Sequence, residues 1–232
     1  MKKRSILLFL FSHRTLALLR WDFHFLRLRL GNRLARRNPA KMISTKRPLY
    51  LNLGSGPRGL ADPQWVNVDG YPDVNVHHCM DFNRPFPFSD NSFNGIFCEH
   101  VFEHFDLEHG LALFRECLRV LCPGGSIRII VPDGEKIMRT YFDNPADLTK
   151  RRQSQTECAM EAVNSYFRQR YEHQCLYDWP LLKHQLRQAG FDPVLRTSYK
   201  QAEVSRGIML DDEKYEWESL YVEAAKPANG KQ

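Results

Sequence analysis

Leu49-Tyr50-Leu51-Asn52-Leu53-Gly54-Ser55-Gly56-Pro57-Arg58-Gly59 is the stretch on which the fold turns. Leu49 to Leu53 is a short β-type run, and it ends on the pattern G-x-G-x-x-G formed by Gly54, Gly56 and Gly59. Alone the pattern is weak, because any tight turn can need glycines. The residues after it decide what it can hold. A dinucleotide fold requires this loop to open a helix whose N-terminus takes the pyrophosphate. Only Leu60 to Gln64, with Pro63 among them, separate Gly59 from the next β-type run at Trp65. That is too short for the helix, so the loop suits a ligand held by close backbone approach and not by an anion site.

Further β-type runs follow at Trp65 to Asp69, Val74 to His78, Phe93 to Cys98 and Ser126 to Val131, each closed by Gly, Pro or Asp. Between the last two, Leu107 to Leu121 carries Leu111, Phe114, Cys117 and Leu121 on one helical side. Strands alternating with helices predict an α/β, doubly wound domain with a largely parallel sheet. Asp69, followed by Gly70, ends the second run, where its carboxylate can accept from both hydroxyls of a ribose. Asp81 is placed to accept from an adenine amino group, with Phe82 beside the ring. An adenosyl cofactor without phosphates, S-adenosylmethionine, fits such a set. A nicotinamide-dependent Rossmann reductase shares the glycine pattern but would need the missing helix.

Five ordered motifs carry a family resemblance: Leu51-Asn52-Leu53-Gly54-Ser55-Gly56, Val66-Asn67-Val68-Asp69, Pro85 to Phe93, Glu99-His100-Val101-Phe102-Glu103-His104, and Leu118 to Gly125 ending in Pro123-Gly124-Gly125. They resemble class I S-adenosylmethionine-dependent methyltransferases, most closely the type 11-like branch, over about residues 48–225. The resemblance implies a Rossmann-like seven-stranded sheet, with Val194 to Thr197 as strand six and Ser219 to Ala224 as a reversed strand seven. It also implies a cofactor pocket built from Asn52, Gly54, Ser55, Gly56, Asp69, Gly70, Asp81, Phe82 and Glu99. Asn52 stands where many members carry an acid; its amide can hydrogen-bond the methionyl end of the cofactor without supplying charge. A catalytically silent cofactor-binding module is the alternative that Asn52 leaves open.

Methyl transfer from a sulfonium is an in-line displacement that asks the protein for alignment, and for a base only when the acceptor must lose a proton. Glu99 and His100 are placed to line the methyl-donor pocket, and His104 is the candidate general base. His100 and His104 stand four apart, but without a third ligand at fixed spacing no metal site is expected. Residues 134–177 read as a substrate-covering insertion of two helices, rich in Tyr and Phe; Tyr141, Tyr166, Tyr171, His173 and Tyr177 could face a hydroxylated acceptor, with His173 the candidate substrate-site residue. The expected activity is O-methylation of a small molecule, a saccharide or a lipid-linked glycan.

Charge divides the 232 residues in two. The net +6 splits into 13 Lys/Arg against the single acid Asp22 in residues 1–47, and 20 against 26 in residues 48–232. The body is therefore acidic, which argues against a nucleic-acid partner. Residues 1–47 read as a basic amphipathic N-terminal arm and linker, with Asn38 to Arg47 as the linker, and 48–232 as the methyltransferase domain. In the arm, Leu16, Leu19, Phe23, Leu26, Leu30 and Leu34 fall on one helical stripe and Trp21, Phe25 and Leu28 outside it, so the helix is apolar on more than one face and should be buried against the domain or an anionic membrane surface, unless the Arg-rich segment is an organelle transit peptide. The run Ile6 to Phe11 is too short to span a membrane and has no small-x-small cleavage site. Six irregularly spaced cysteines suggest reduced thiols and a cytoplasmic protein.

Overall fold

The computed structural model describes residues 13–35, 48–152, 157–169 and 172–228. The Ile6 to Phe11 run, the linker, Tyr171, and the side chains of Leu16 and Trp21 lie outside the described residues. In chain order the elements are α1 (His13–Ala35), β1 (Tyr50–Leu53), a 3-10 turn (Gly56–Arg58), β2 (Trp65–Asp69), β3 (His78–Cys79), β4 (Phe93–Glu99), α2 (Leu107–Val120), β5 (Leu121–Pro132), α3 (Gly134–Asp143), α4 (Pro145–Arg151), α5 (Ala159–Arg168), α6 (Trp179–Ala189), β6 (Val194–Thr197) and β7 (Ser219–Ala225). The strands form one sheet in the order β3-β2-β1-β4-β5-β7-β6. β1 pairs in parallel with β2 and β4, and β4 with β5; β7 runs antiparallel between β5 and β6. Fully buried Leu51, Leu53, Val68, Ile96, Ile127 and Ile129 give this sheet the apolar content of a layer covered by helices.

Three elements differ from the sequence expectation. The run at Val74 to His78 is a turn, because Asp73 accepts from Val76 N at 3.2 Å and Asn75 sits at φ 62°, so pairing starts only at His78. Residues 134–177 contain three helices instead of two, because Pro145 has no N–H to continue α3, and the Asn144 side chain caps α4 by accepting from Asp147 N at 3.2 Å. These helices bury their own apolar cluster of Ile137, Leu148, Ala162, Val163 and Tyr166, apart from the main core.

The third difference is in the arm. The Leu stripe is exposed: Leu19, Phe23, Leu26, Leu30 and Leu34 all face solvent. The opposite face meets the domain through Phe25 and Asn32, both buried, and through His24, stacked on Tyr71 at 4.5 Å. The periodicity located the apolar stripe; what it could not locate was the domain's contact face, which is set by single polar and aromatic partners.

The deepest polar group is Arg128, in the middle of β5 with its side chain fully shielded from water. It donates to Asp211 Oδ1 at 2.6 Å and Oδ2 at 2.5 Å, to Glu223 Oε1 at 2.9 Å, and to the carbonyls of Gln201 at 2.9 Å and Ser198 at 3.0 Å. Removing one partner of such a cluster leaves uncompensated buried charge. Arg128→Ala should therefore lose about 3–5 kcal/mol of unfolding free energy, read as a lower urea midpoint with the slope retained.

Candidate functional site

The glycine loop closes onto the second strand. Gly56 N donates to Asp69 Oδ2 at 2.9 Å and Tyr71 N to Oδ1 at 3.0 Å, so the Asp69 carboxylate is aimed across the carboxyl end of the sheet. Gly54 sits at φ +72°, and a Cβ there would lie 2.1 Å from a Val101 methyl. Gly56 has φ +47° with no atom within 4 Å of an added Cβ, which leaves open space in front of the loop. Ser55 Oγ is buried and has no hydrogen-bond partner among the described residues. An open glycine wall, an oriented carboxylate and an orphaned hydroxyl fit the hydrogen-bonding ends of an adenosyl amino acid. After the loop there is only the 3-10 turn of Gly56–Arg58, so the helix a dinucleotide needs is absent at this position.

The other expected pocket residues have different surroundings. Asn52 spends an amide N–H on Asn67 Oδ1, 3.2 Å away, and Asn67 in turn bridges Leu60 N and O. Glu99, at the end of β4, accepts from Arg58 Nη1 at 2.5 Å and from Asp212 N at 3.0 Å. Burial pushes its carboxyl above the usual range, opposed by the Asp212 N–H and Arg58. Arg58 also pairs with Asp212 at 2.9 Å, tying the glycine loop to the segment before β7. Asp81 is fully buried and already engaged: Oδ1 accepts from Asn83 N, and Oδ2 accepts from Arg29 Nε of the arm at 2.6 Å. His24 Nε2 lies 2.6 Å from Gly70 O, and Phe25 packs near Gly70. Phe82 lies partly buried against the main core. Arg58, Asp212 and Arg29 went unnoticed in the sequence; a basic residue inside the glycine loop was the one local hint.

The three candidate catalytic histidines come together around one carboxylate, Glu103, whose side chain is fully buried. His100 sits at φ +54°, a backbone strain that clusters at functional sites. Its Nδ1 is 3.0 Å from Glu103 Oε1 and its Nε2 is 3.1 Å from Ser219 Oγ. Burial disfavours the His100 cation, but Glu103 more than reverses this and holds it above its ordinary value. Burial pushes the Glu103 carboxyl up, yet His100 brings it below the usual range. Burial lowers His173, with Glu103 opposing. His104 and His173 meet edge to face at 4.9 Å. Next to His100, Ser219 lines a cleft of about 560 Å³ walled by Lys136, Arg139, Arg196, Asp133 and Glu216. Tyr141 and Tyr166 pack with the insertion's own cluster, and Tyr177 is buried in the main core.

Residues 64–129 match the family model described as a methyltransferase domain. Among solved structures, a chain of the Haloferax volcanii complex between the Trm112 methyltransferase activator and a methyltransferase aligns with a TM-score of 0.51 at 13% identity, covering 90% of this chain and 91% of that one. A SAM-dependent methyltransferase from Archaeoglobus fulgidus aligns with a TM-score of 0.44 at 15% identity, covering 85% and 94%. No curated protein matches the chain. The seven-stranded sheet with its reversed β7 is the class I methyltransferase fold. The family match runs from β2 into β5 of that sheet, the strands that carry Asp69 and Glu99, and methyl transfer from S-adenosylmethionine is the activity it indicates.

The Gly54 geometry makes a direct prediction. Gly54→Ala forces a side chain into left-handed backbone, worth about 1–3 kcal/mol, and against Val101. A thermal melt should fall by roughly 4 °C or more.

Proposed function

We propose that the enzyme methylates an oxygen of a small polar acceptor, a saccharide or lipid-linked saccharide, held in the cleft beside His100. The observation that carries this is the lining of that cleft: Lys136, Arg139 and Arg196 face Asp133 and Glu216, with the Ser219 hydroxyl at the end that touches His100. Mixed charge and hydroxyls suit a hydroxylated or anionic acceptor better than a flat apolar one. The bound cofactor supplies an electrophilic methyl group on a sulfonium. The chain's own residues do the rest: the loop of Gly54, Ser55 and Gly56 and the Asp69 carboxylate hold the donor, and residues 134–177 cover the acceptor as a separate insertion of the 48–232 domain.

The arm, residues 1–47, acts as a separate unit that sets location in a cytoplasmic protein. No helix among the described residues is long and apolar enough to cross a membrane. The exposed stripe of Leu19, Phe23, Leu26, Leu30 and Leu34, with Arg27 and Arg33 also exposed, has the make-up of a helix lying on an anionic lipid surface. Its inner face sits on Gly70 and Asp81, two residues of the expected adenosine pocket, so arm and cofactor contend for the same carboxylate.

Calorimetry with S-adenosylhomocysteine tests the donor site: the wild type binds, and Asp69→Ala weakens binding at least about tenfold, ~1.4 kcal/mol. Unchanged affinity in that variant would remove Asp69 from the site. Arg29→Ala, by freeing Asp81, should tighten the same ligand about threefold to tenfold. For the acceptor, Arg139→Ala and Arg196→Ala should each raise KM for a transferred label from envelope-saccharide extracts about tenfold while leaving homocysteine-product affinity alone. Co-sedimentation with anionic vesicles should be lost on deletion of residues 1–40 and weakened by salt.

A further inference from the structure

We infer that Glu103, His104 and His173 form a binding site for a divalent transition-metal ion. One potential ligand atom from each lies within 4.8 Å of the others. Two of the three come from the short turn after β4 and the third from the segment after α5, so the cluster is assembled only by folding.

The hydrogen bonds around the three residues leave lone pairs facing one another. His173 Nδ1 is 2.7 Å from the Tyr166 carbonyl oxygen. A carbonyl only accepts, so Nδ1 carries the proton, and the neutral ring presents the lone pair of Nε2. That atom faces Glu103 Oε1 at 4.0 Å, too far for a hydrogen bond. Both Glu103 oxygens are buried; Oε1 has His100 Nδ1 at 3.0 Å on one side, and Oε2 has no hydrogen-bond partner among the described residues. Two acceptors therefore stand opposite each other with no proton between them. Two metal bonds of about 2.0–2.1 Å span about 3.4 Å at a tetrahedral angle, so the three ligand atoms, all within 4.8 Å of one another, close on a cation by side-chain shifts of about 1 Å.

The supporting shell matches as well. Ligating histidines commonly give their second N–H to a backbone carbonyl, which fixes tautomer and ring orientation. His173 does so at Tyr166, and His104 Nδ1 lies 3.2 Å from Glu172 O. The two chain segments are laced together by Gln174 N and Cys175 N donating to Glu103 O at 2.8 and 3.1 Å, and by Gln174 Nε2 donating to His104 O at 2.9 Å. Two imidazoles and one carboxylate on such a frame select a transition metal over Mg2+ or Ca2+, which favour all-oxygen sets. The sequence pair His100-x-x-x-His104 is thus not the ligand pair; His100 turns toward Ser219, and His173 takes its place.

Binding at this cluster needs neither donor nor acceptor, so it is tested apart from methyl transfer. The full-length protein, stripped with chelator, is titrated with Co2+ followed by visible absorption, and with Zn2+ by calorimetry. One equivalent should bind, with d–d bands and without the intense thiolate charge-transfer band. His104→Gln, at the partly exposed ligand, should weaken binding about tenfold to a hundredfold with an unchanged circular dichroism spectrum. His173→Gln should do the same, and exposed His184→Gln should change nothing. Zn2+ should raise the melting temperature of the wild type and not of His104→Gln. The proposal is overturned by absence of binding, by a thiolate band, or by equal affinity in His104→Gln.

Discussion

A guanidinium sealed in the middle of the sheet fixes much of what surrounds the site. Arg128 places all five of its N–H bonds on Asp211, Glu223 and two backbone carbonyls. One cation between two carboxylates leaves excess negative charge. Further donors offset it: Lys200 N to Asp211 at 2.8 Å, Glu203 N and Val204 N to Glu223 at 2.9 Å, and the Ser205 hydroxyl to the same carboxylate. Every one of those donors belongs to the segment between β6 and β7. Together with Ile208, packed beside Trp65, Phe97 and Ile130, these bonds hold the segment over the sheet, and it delivers Asp212 N to Glu99 and the Asp212 carboxylate to Arg58. A buried ion cluster is an uncertain source of stability, but it is a strong source of position.

That chain of contacts explains why the fold was legible in the sequence and much of the site was not. Strands β1, β2, β4 and β5 announce themselves as short apolar runs, three of them stopped by Gly, Pro or Asp and β4 by Glu99-His100, and the short gap after Gly59 rules out a helix by length alone. The weakest strand, β3, was misplaced because Val74 looks like a strand residue and is in fact 69% exposed in a turn. Asp69 was legible as a carboxylate at a strand end. Arg58, Arg29 and Asp212 were not, since each acts across a long sequence separation through one charged contact. Periodicity carries no information about such pairs.

The histidines show the same limit in another form. His100, His104 and His173 were each legible as titratable residues near the expected mouth of the site, and Glu103 as part of the Glu99 to His104 motif, but not that Glu103 is the group that organises them. Its importance comes from complete burial, which a sequence cannot state for an acidic residue. Asp81 carries a related lesson. Its carboxylate is fully buried and pairs with Arg29 of the arm, a contact that no local pattern in the sequence announces.

Helices α3, α4 and α5 close around Ile137, Leu148, Ala162, Val163 and Tyr166, separately from the main core. Substitutions on the outer surface of these helices therefore perturb a small private nucleus and not the sheet that carries the glycine loop. Selection can remodel that surface while the sheet stays fixed, so related chains could diverge in these three helices long before they diverge in the glycine loop and its strands.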